Sequence, residues 1–483
     1  MSYAAVARVL GWLVAGFGAA MMVPIVLAVA ADESRSAVGF VGGAAAALFV
    51  GVVLVIATQG RSAAVGRREI ILLSALVWVV LAAFGALPFV LGGPANSYAD
   101  GYFETLSGLT TTGLTVFRDP ATLDRSLLIW RAMLQWLGGL ATIVLAVAVL
   151  PYLGLGGVQV RQGDSAQRVG QALRPGLRQA ARTLSFAYGM LTGLCLVALL
   201  IAGMPPLDAV CHAMSTISTG GFSTHAAPMD AFRRPAIEIV LIVFMLLGAL
   251  NFALHGPALG GRLSVYRRDS ECRLMLVIVT LATAGTALYL TGIGQFDAGE
   301  AVRRGLFDVV SAITTTGYAG PAAGAGLNVL VFVMLGLAVI GGATGSTAGG
   351  LKLMRWLLLL RQSGRELVRL TRPHGVVPVR YGGASVSSAV VQSVWGVFVA
   401  YMFSLVVLAI GLAAFGIAFP AALALAVSSL ANAGPGVAGS GGVAVEIAGL
   451  ATGAKGLIGL GMVAGRLELL AMLVLLNPMF WRN

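Results

Sequence analysis

The chain has 483 residues, of which 58% are hydrophobic and only 10% charged, against about 25% charged in ordinary soluble domains. That balance excludes a string of soluble domains and reads as a polytopic membrane protein, its 65 glycines suited to close helix packing and to backbone that bends inside a bilayer. The formal charge of +12 does not indicate nucleic acid, because the basic residues gather in loops on one side of the topology that follows.

In chain order, apolar runs predict spans near 9–30, 36–58 and 69–92, then a short helix near 100–111 and a span near 125–151. The pattern then recurs three times: 182–203, 207–218 and 234–260; 271–292, 300–315 and 325–360; 387–416, 420–431 and 449–477. Full spans reach the length of about 20 residues that crosses hydrocarbon, while the short middle helices suit re-entrant half-helices. The expectation is an all-α membrane protein with ten crossings and four span–pore helix–span repeats in pseudo-fourfold arrangement, behind two extra N-terminal spans. Its units are 1–60 (the extra spans), 61–160, 161–262, 263–370 and 371–483. The first run lacks a convincing cleavage site and reads as a retained helix.

Charge supports this parity. Arg61, Arg67 and Arg68 precede the first repeat, Arg182 the second, Arg273 the third, and Arg369, Arg372 and Arg380 the fourth. Treating the short helices as full spans would scatter these loops over both sides. The positive-inside rule then places both termini in the cytoplasm. Acidic residues, including Asp32, Glu33, Asp100, Glu104, Asp208, Asp297, Glu300 and Asp308, fall on the outer side, where an acidic vestibule would concentrate cations.

After each short helix comes a tight turn: Thr110-Thr111-Thr112-Gly113, Ile217-Ser218-Thr219-Gly220, Thr314-Thr315-Thr316-Gly317 and Ala431-Asn432-Ala433-Gly434. Aligned on the glycine, Ser107, Ser311 and Ser428 match, with Met214 in the second copy; Glu104 and Asp308 match, with Cys211 and Leu425 elsewhere. Half-helices aimed at a common centre favour a cation at their C-terminal ends. A ring of main-chain carbonyls replaces the water shell of potassium, and glycine relaxes the backbone where it must turn. These four stretches are therefore the expected filter. Glu104 and Asp308 are read as helix-end capping or vestibule charge, and Asp208, after Pro205-Pro206, as the cap of the second short helix.

Residues 341–350 hold five glycines among ten residues, with Gly345, Ser346, Thr347, Gly349 and Gly350 closed by Lys352. Such a run is a poor helix former. Because apolar sequence flanks it on both sides, it is expected to break the span inside the membrane and to gate conduction. Arg466, in the last span, is expected in the cavity beneath the filter, since a charge at membrane depth is costly unless it meets water or a partner; Glu468, two residues on, faces away from it. Lys352 either stabilises the closed loop or extends to the cytoplasmic interface. The cysteines Cys195, Cys211 and Cys272 read as buried thiols, and His212, His225, His255 and His374 have no metal-binding spacing. Nothing in the chain reads as an enzyme.

At these residues the chain resembles the TrkH/TrkG/KtrB superfamily of bacterial potassium uptake proteins over almost its whole length. The likeness rests on the four turns, the Trp130-Arg131 to Gly139 segment, Asn251-Phe252 through His255, residues 341–350 with Lys352, and Gly465-Arg466-Leu467-Glu468. Asn432 to Gly436 is similar to the family's Asn-x-Gly-Pro-Gly, and two spans ahead of the first repeat match the TrkH branch. The resemblance implies K⁺ as the transported ion, no organic cofactor in this chain, and a bacterial inner-membrane homodimer with one pore per subunit. It also implies a cytoplasmic TrkA-type nucleotide-binding ring, docked on the basic segments 161–182, 262–273 and 355–380. Membrane lipid is the remaining partner; nucleic acid is not. The competing readings are a less selective Na⁺/K⁺ transporter and a sodium-coupled solute carrier built from inverted repeats.

Overall fold

Long apolar runs without a polar stripe fold as helices, since each backbone group must be satisfied within its own segment. The computed structural model describes residues 1–60, 66–153, 169–226, 232, 234–318, 328–372, 377–382, 384–439 and 446–481. Arg61, residues 161–168 of the first basic segment, and His374 lie outside them. Among the described residues seven helices are long and apolar enough to cross a membrane: Tyr3–Ala30, Ser34–Ala57, Arg68–Leu91, Arg125–Ala146, Ala181–Ile201, Ser270–Gly292 and Ser388–Ala414. The most apolar stretch of Arg125–Ala146 is 67% buried, against 28–44% for the others, so that helix stands at the centre and the others face outward.

The four short helices are Tyr98–Leu109, Pro206–Ile217, Ala298–Ile313 and Phe419–Leu430. The first and third start on side-chain caps, Ser97 accepting from the Asp100 amide and Asp297 from the Glu300 amide. The second and fourth start on proline in the first turn, where a missing amide hydrogen costs nothing. Pro205, and not Asp208, holds the cap position of the second. Each short helix packs against a preceding long one, for example Ala298–Ile313 on Ser270–Gly292 and Phe419–Leu430 on Ser388–Ala414.

Three expected spans are broken rather than continuous. Pro235–Ala249 and Phe252–Leu259 meet at 110°, where Asn251 caps the second piece by accepting from the Ala253 amide. Asn328–Ile340 and Leu353–Thr371 flank the glycine-rich loop, as the sequence leads one to expect. Thr452–Arg466 ends at Leu467, and Glu468 and Leu469 take left-handed φ values of 54° and 34° before Leu470–Leu476 begins. Two of these breaks were not expected, because Asn251 and the pair Arg466 and Glu468 are isolated polar residues in apolar runs, and such residues do not by themselves interrupt a helix. The all-helical expectation also meets one small exception, an antiparallel pairing of Arg380–Tyr381 with Ala384–Ser385.

Candidate ion-conduction site

Each short helix is followed by one residue that caps it and then by a residue in the left-handed region: Thr111 (φ 50°), Thr219 (51°), Thr315 (56°) and Asn432 (50°). Matching by backbone therefore shifts the second copy by one residue from the sequence alignment. Ile217 is the last helical residue, the second turn is Ser218-Thr219-Gly220-Gly221, and Gly221 (φ 79°) stands with Gly113 (82°) and Gly317 (70°). Ser215 replaces Met214 as the partner of Ser107, Ser311 and Ser428, and His212 replaces Cys211 beside Glu104 and Asp308. The doublet Gly220-Gly221 makes both frames plausible by sequence; only the conformation separates them.

Three threonines at positive φ are strained, since β-branched side chains crowd the left-handed region. The surroundings hold them there. The matched serine carbonyl accepts amides from the turn in every copy: Ser107 from Thr112 (2.9 Å), Ser215 from Gly220 (2.8 Å), Ser311 from Gly317 (3.1 Å) and Ser428 from Ala433 (2.9 Å). Threonine hydroxyls lock the turns further, Thr110 to Thr112 at 2.9 Å and Thr314 to Thr316 at 2.8 Å. Asn432 supplies the missing hydroxyl chemistry of the fourth copy, its amide donating to Thr112 Oγ1 at 3.0 Å and to the Met462 carbonyl at 2.8 Å.

The turns meet main chain to main chain. A Cβ added at Gly113 would lie 2.2 Å from the Gly220 carbonyl oxygen, one at Gly221 2.0 Å from that of Thr316, and one at Gly317 2.1 Å from the Gly434 nitrogen. Copies one to four are thus in contact in sequence order. Glycine is required at the contact points because no side chain fits. Gln135, on the central helix, holds copy two from behind: its Nε2 donates to the Gly220 carbonyl at 2.6 Å, and its Oε1 accepts from the Phe222 amide at 3.2 Å.

Helix glycines bring neighbouring helices close to the ends of the short ones. A Cβ at Gly138 would lie 1.8 Å from the Leu109 carbonyl oxygen, at Gly248 2.9 Å from that of Ile217, and at Gly465 2.2 Å from that of Leu430. In three copies, then, the last residue of the short helix docks on a glycine of the following span. Sequence reasoning gave Gln135, Gly138 and Gly248 no role; their signal, a polar or small residue in an apolar helix, is too common to single out.

The acidic residues do structural work. Glu104 is fully buried and pairs with Arg131 at 2.8 Å, while accepting from Thr115 Oγ1 (3.0 Å) and the Val116 amide (2.9 Å). Arg131 also donates to the Ser223 carbonyl and stacks 4.1 Å over Phe222, tying the first outgoing segment to the second. Asp208 accepts from Thr224 Oγ1 at 2.6 Å, Glu33 takes the Arg125 and Ser126 amides, and Asp100 pairs with Lys455 at 2.6 Å. Glu104 therefore neither caps its helix nor lines a vestibule. Glu104→Ala strands a buried guanidinium, which costs about 3–5 kcal/mol; the expected result is a large fall in the unfolding temperature of the purified protein, with Glu104→Gln intermediate.

Directly against the turns lies the loop 341–352. It fills the break at residue 250: the Ala343 amide donates to the Ala249 carbonyl (2.9 Å), the Thr347 amide to that of Gly248 (3.3 Å), and the Phe252 amide to that of Gly345 (3.0 Å). Carbonyls orphaned by the helix end are thereby satisfied. The loop also reaches the turns. Thr219 Oγ1 donates to Thr347 Oγ1 at 3.2 Å, the Gly349 amide to Thr315 Oγ1 at 2.7 Å, and the Gly350 amide to the Ala431 carbonyl at 3.0 Å, while Thr347 Oγ1 donates to the Ile217 carbonyl at the end of the second short helix at 3.0 Å. Arg466 completes the set, its Nε donating to the Thr110 carbonyl and Nη1 to that of Thr347 at 2.8 Å. Lys352, buried with φ 77°, turns its ammonium onto the Ala348 carbonyl, so it braces the loop instead of reaching outward. Glu468 pairs with Arg355, which donates to the Leu351 carbonyl at 3.0 Å.

Multiple apolar crossings around four meeting main-chain turns define a multi-pass membrane protein of the cation-conducting class. The sequence pattern of the TrkH family, described as a cation transport protein, matches residues 36–482. The chain belongs to that family. It is 39% identical over 354 residues to the Trk system potassium uptake protein TrkH of Salmonella typhimurium, covering 72% of this chain and 73% of the relative. Identity to the TrkH of Vibrio parahaemolyticus is 36% with both chains fully covered. The crystal structure of the potassium transporter TrkH from that organism superposes over the whole of both chains with a TM-score of 0.92. Among the described residues no group of three His, Cys, Asp or Glu residues is placed to hold a metal ion.

Proposed function

We propose that the chain takes up K⁺ across the bacterial inner membrane through a channel-like pore whose filter is the four turns. The observation that carries this reading is main-chain contact between successive turns at Gly113, Gly221, Gly317 and Gly434, which leaves backbone oxygens as the groups available to a dehydrated ion. Filter residues are Thr110 to Gly113, Ser218 to Gly221, Thr314 to Gly317 and Ala431 to Gly434, in pseudo-fourfold arrangement about one axis. The units 61–160, 161–262, 263–370 and 371–483 are the four repeats, with 1–60 outside the ring and both termini cytoplasmic.

The loop containing Gly345, Ser346, Thr347, Gly349 and Gly350, with Lys352 and Arg466, is the gate in its obstructing position. Support comes from its bonds to copies two, three and four and, through Arg466, to copy one. A homodimer and a cytoplasmic TrkA-type ring complete the working assembly, as the family's organisation leads one to expect.

The test is reconstitution into vesicles with opposing K⁺ and Na⁺ gradients. K⁺ flux well above Na⁺ flux, with Gly113→Ser reducing the ratio, is the expected outcome. An unchanged ratio in the variant would remove the turns from the filter.

A further inference from the structure

A second polar site lies away from the pore axis. Arg268 and Arg273 from the segment around Ser270, Arg361 and Arg365 from the helix Leu353–Thr371, and Arg380 from the small hairpin line one open cavity of about 720 Å³. That volume is within the range of about 300–1,000 Å³ typical of small-ligand sites. Among the described residues Asp269 is the one acidic lining residue, and its Oδ1 accepts from the Glu271 and Cys272 amides at 2.9 and 3.1 Å. Glu366, beside the cavity, is engaged by Arg365 and Arg369, and the Arg365 hydrogen bond holds it below the ordinary carboxylate pKa. The cavity is left strongly cationic.

Its wall helix carries two stripes. Leu360, Leu367 and Leu370 are 58%, 66% and 80% exposed, while Arg361, Arg365 and Val368 line the cavity on the adjacent face. An amphipathic helix with leucines beside arginines is the signature of an element lying in a membrane interface. Two hydrogen bonds link the same cavity to the loop against the turns. Tyr381, a lining residue, donates its hydroxyl to Glu271 Oε1 at 2.5 Å, and Glu271 Oε2 accepts from the Thr344 amide at 2.7 Å.

We propose that this cavity binds the phosphate headgroup of an anionic phospholipid of the inner leaflet, and that its occupancy is relayed through Tyr381 and Glu271 to the loop 341–350. The lipid source is favoured over a soluble phosphate because the exposed leucines place the cavity mouth at the bilayer surface. Guanidinium forks match phosphate oxygens in pairs. The relay half of this inference rests on the gating role given above; the binding half does not.

Native mass spectrometry of the purified, delipidated protein titrated with phosphatidylglycerol or phosphatidylcholine tests the binding half without any ion flux. Arg268 and Arg273 have no ion pair with another described residue, so Arg268→Gln/Arg273→Gln leaves the fold intact. Expected is selective retention of phosphatidylglycerol by the native chain, at least about tenfold weaker retention in the double variant, and partial recovery in Arg268→Lys/Arg273→Lys, which restores the charge but not the forks. Equal retention in native and glutamine forms overturns the site. Displacement of bound phosphatidylglycerol by millimolar pyrophosphate, with pyrophosphate retained in its place, overturns the lipid assignment.

For the relay, K⁺ flux is compared in phosphatidylcholine vesicles with and without phosphatidylglycerol. Flux that depends on phosphatidylglycerol in the native chain, and loses that dependence in Tyr381→Phe while lipid retention persists, supports the coupling. Dependence that survives in Tyr381→Phe overturns it.

Discussion

Gly317→Ser will abolish discrimination between K⁺ and Na⁺, lowering the permeability ratio by about tenfold or more. The φ of 70° at this position already costs an L-residue about 1–2 kcal/mol. The larger effect is steric: an added Cβ would lie 2.1, 2.2 and 2.7 Å from the N, Cα and C atoms of Gly434. Main chain cannot rotate away as a flexible side chain does, so copies three and four must separate, and under the proposed filter assignment their oxygens withdraw from the ion. Gly336→Ser is the matched control, because a Cβ there meets nothing within 4 Å. Ratios measured in opposing gradients for both variants decide the matter; equal ratios would remove Gly317 from the ion path.

Arg466→Gln will raise K⁺ flux by about tenfold to a hundredfold at equal protein level, on two grounds. Unit charges about 6 Å apart at an effective dielectric of about 20 interact by roughly 3 kcal/mol, so neutralisation lowers the electrostatic barrier to a cation beneath the turns. The guanidinium also joins the Thr110 carbonyl to the Thr347 carbonyl; glutamine is too short to keep both bonds, and the loop loses its hold on copy one. Arg466→Lys separates the two causes, since it keeps the charge but not the fork. Flux near the native level for lysine and high for glutamine assigns the effect to charge, and high flux in both assigns it to the tether. Native flux in both would exclude a role for Arg466.

Much of this molecule was legible because hydrocarbon admits few backbone solutions. The short helices begin and end within a few residues of the positions read from apolar run length. The break at 341–350 was visible because five glycines interrupt an apolar helix. The breaks at Asn251 and at Glu468-Leu469 were not, since one polar residue, or a pair of charges, within an apolar run does not by itself predict a change of chain direction; they exist because the loop 341–352 and the Arg355–Glu468 pair supply the partners that a broken helix end needs. Acidic residues were misread for a related reason. Sequence places Glu104 near a helix start but cannot show that Arg131, 27 positions later, folds over it.

Membrane class, four recurring turns and the glycine-rich interruption are properties of the sequence alone, since apolar length and glycine content act locally. Register in the second turn, the docking of short-helix ends on Gly138, Gly248 and Gly465, and the spanning of two carbonyls by Arg466 were decided only by tertiary structure. Each depends on which backbone atoms lie within a few ångströms across distant parts of the chain, and no local preference encodes that proximity.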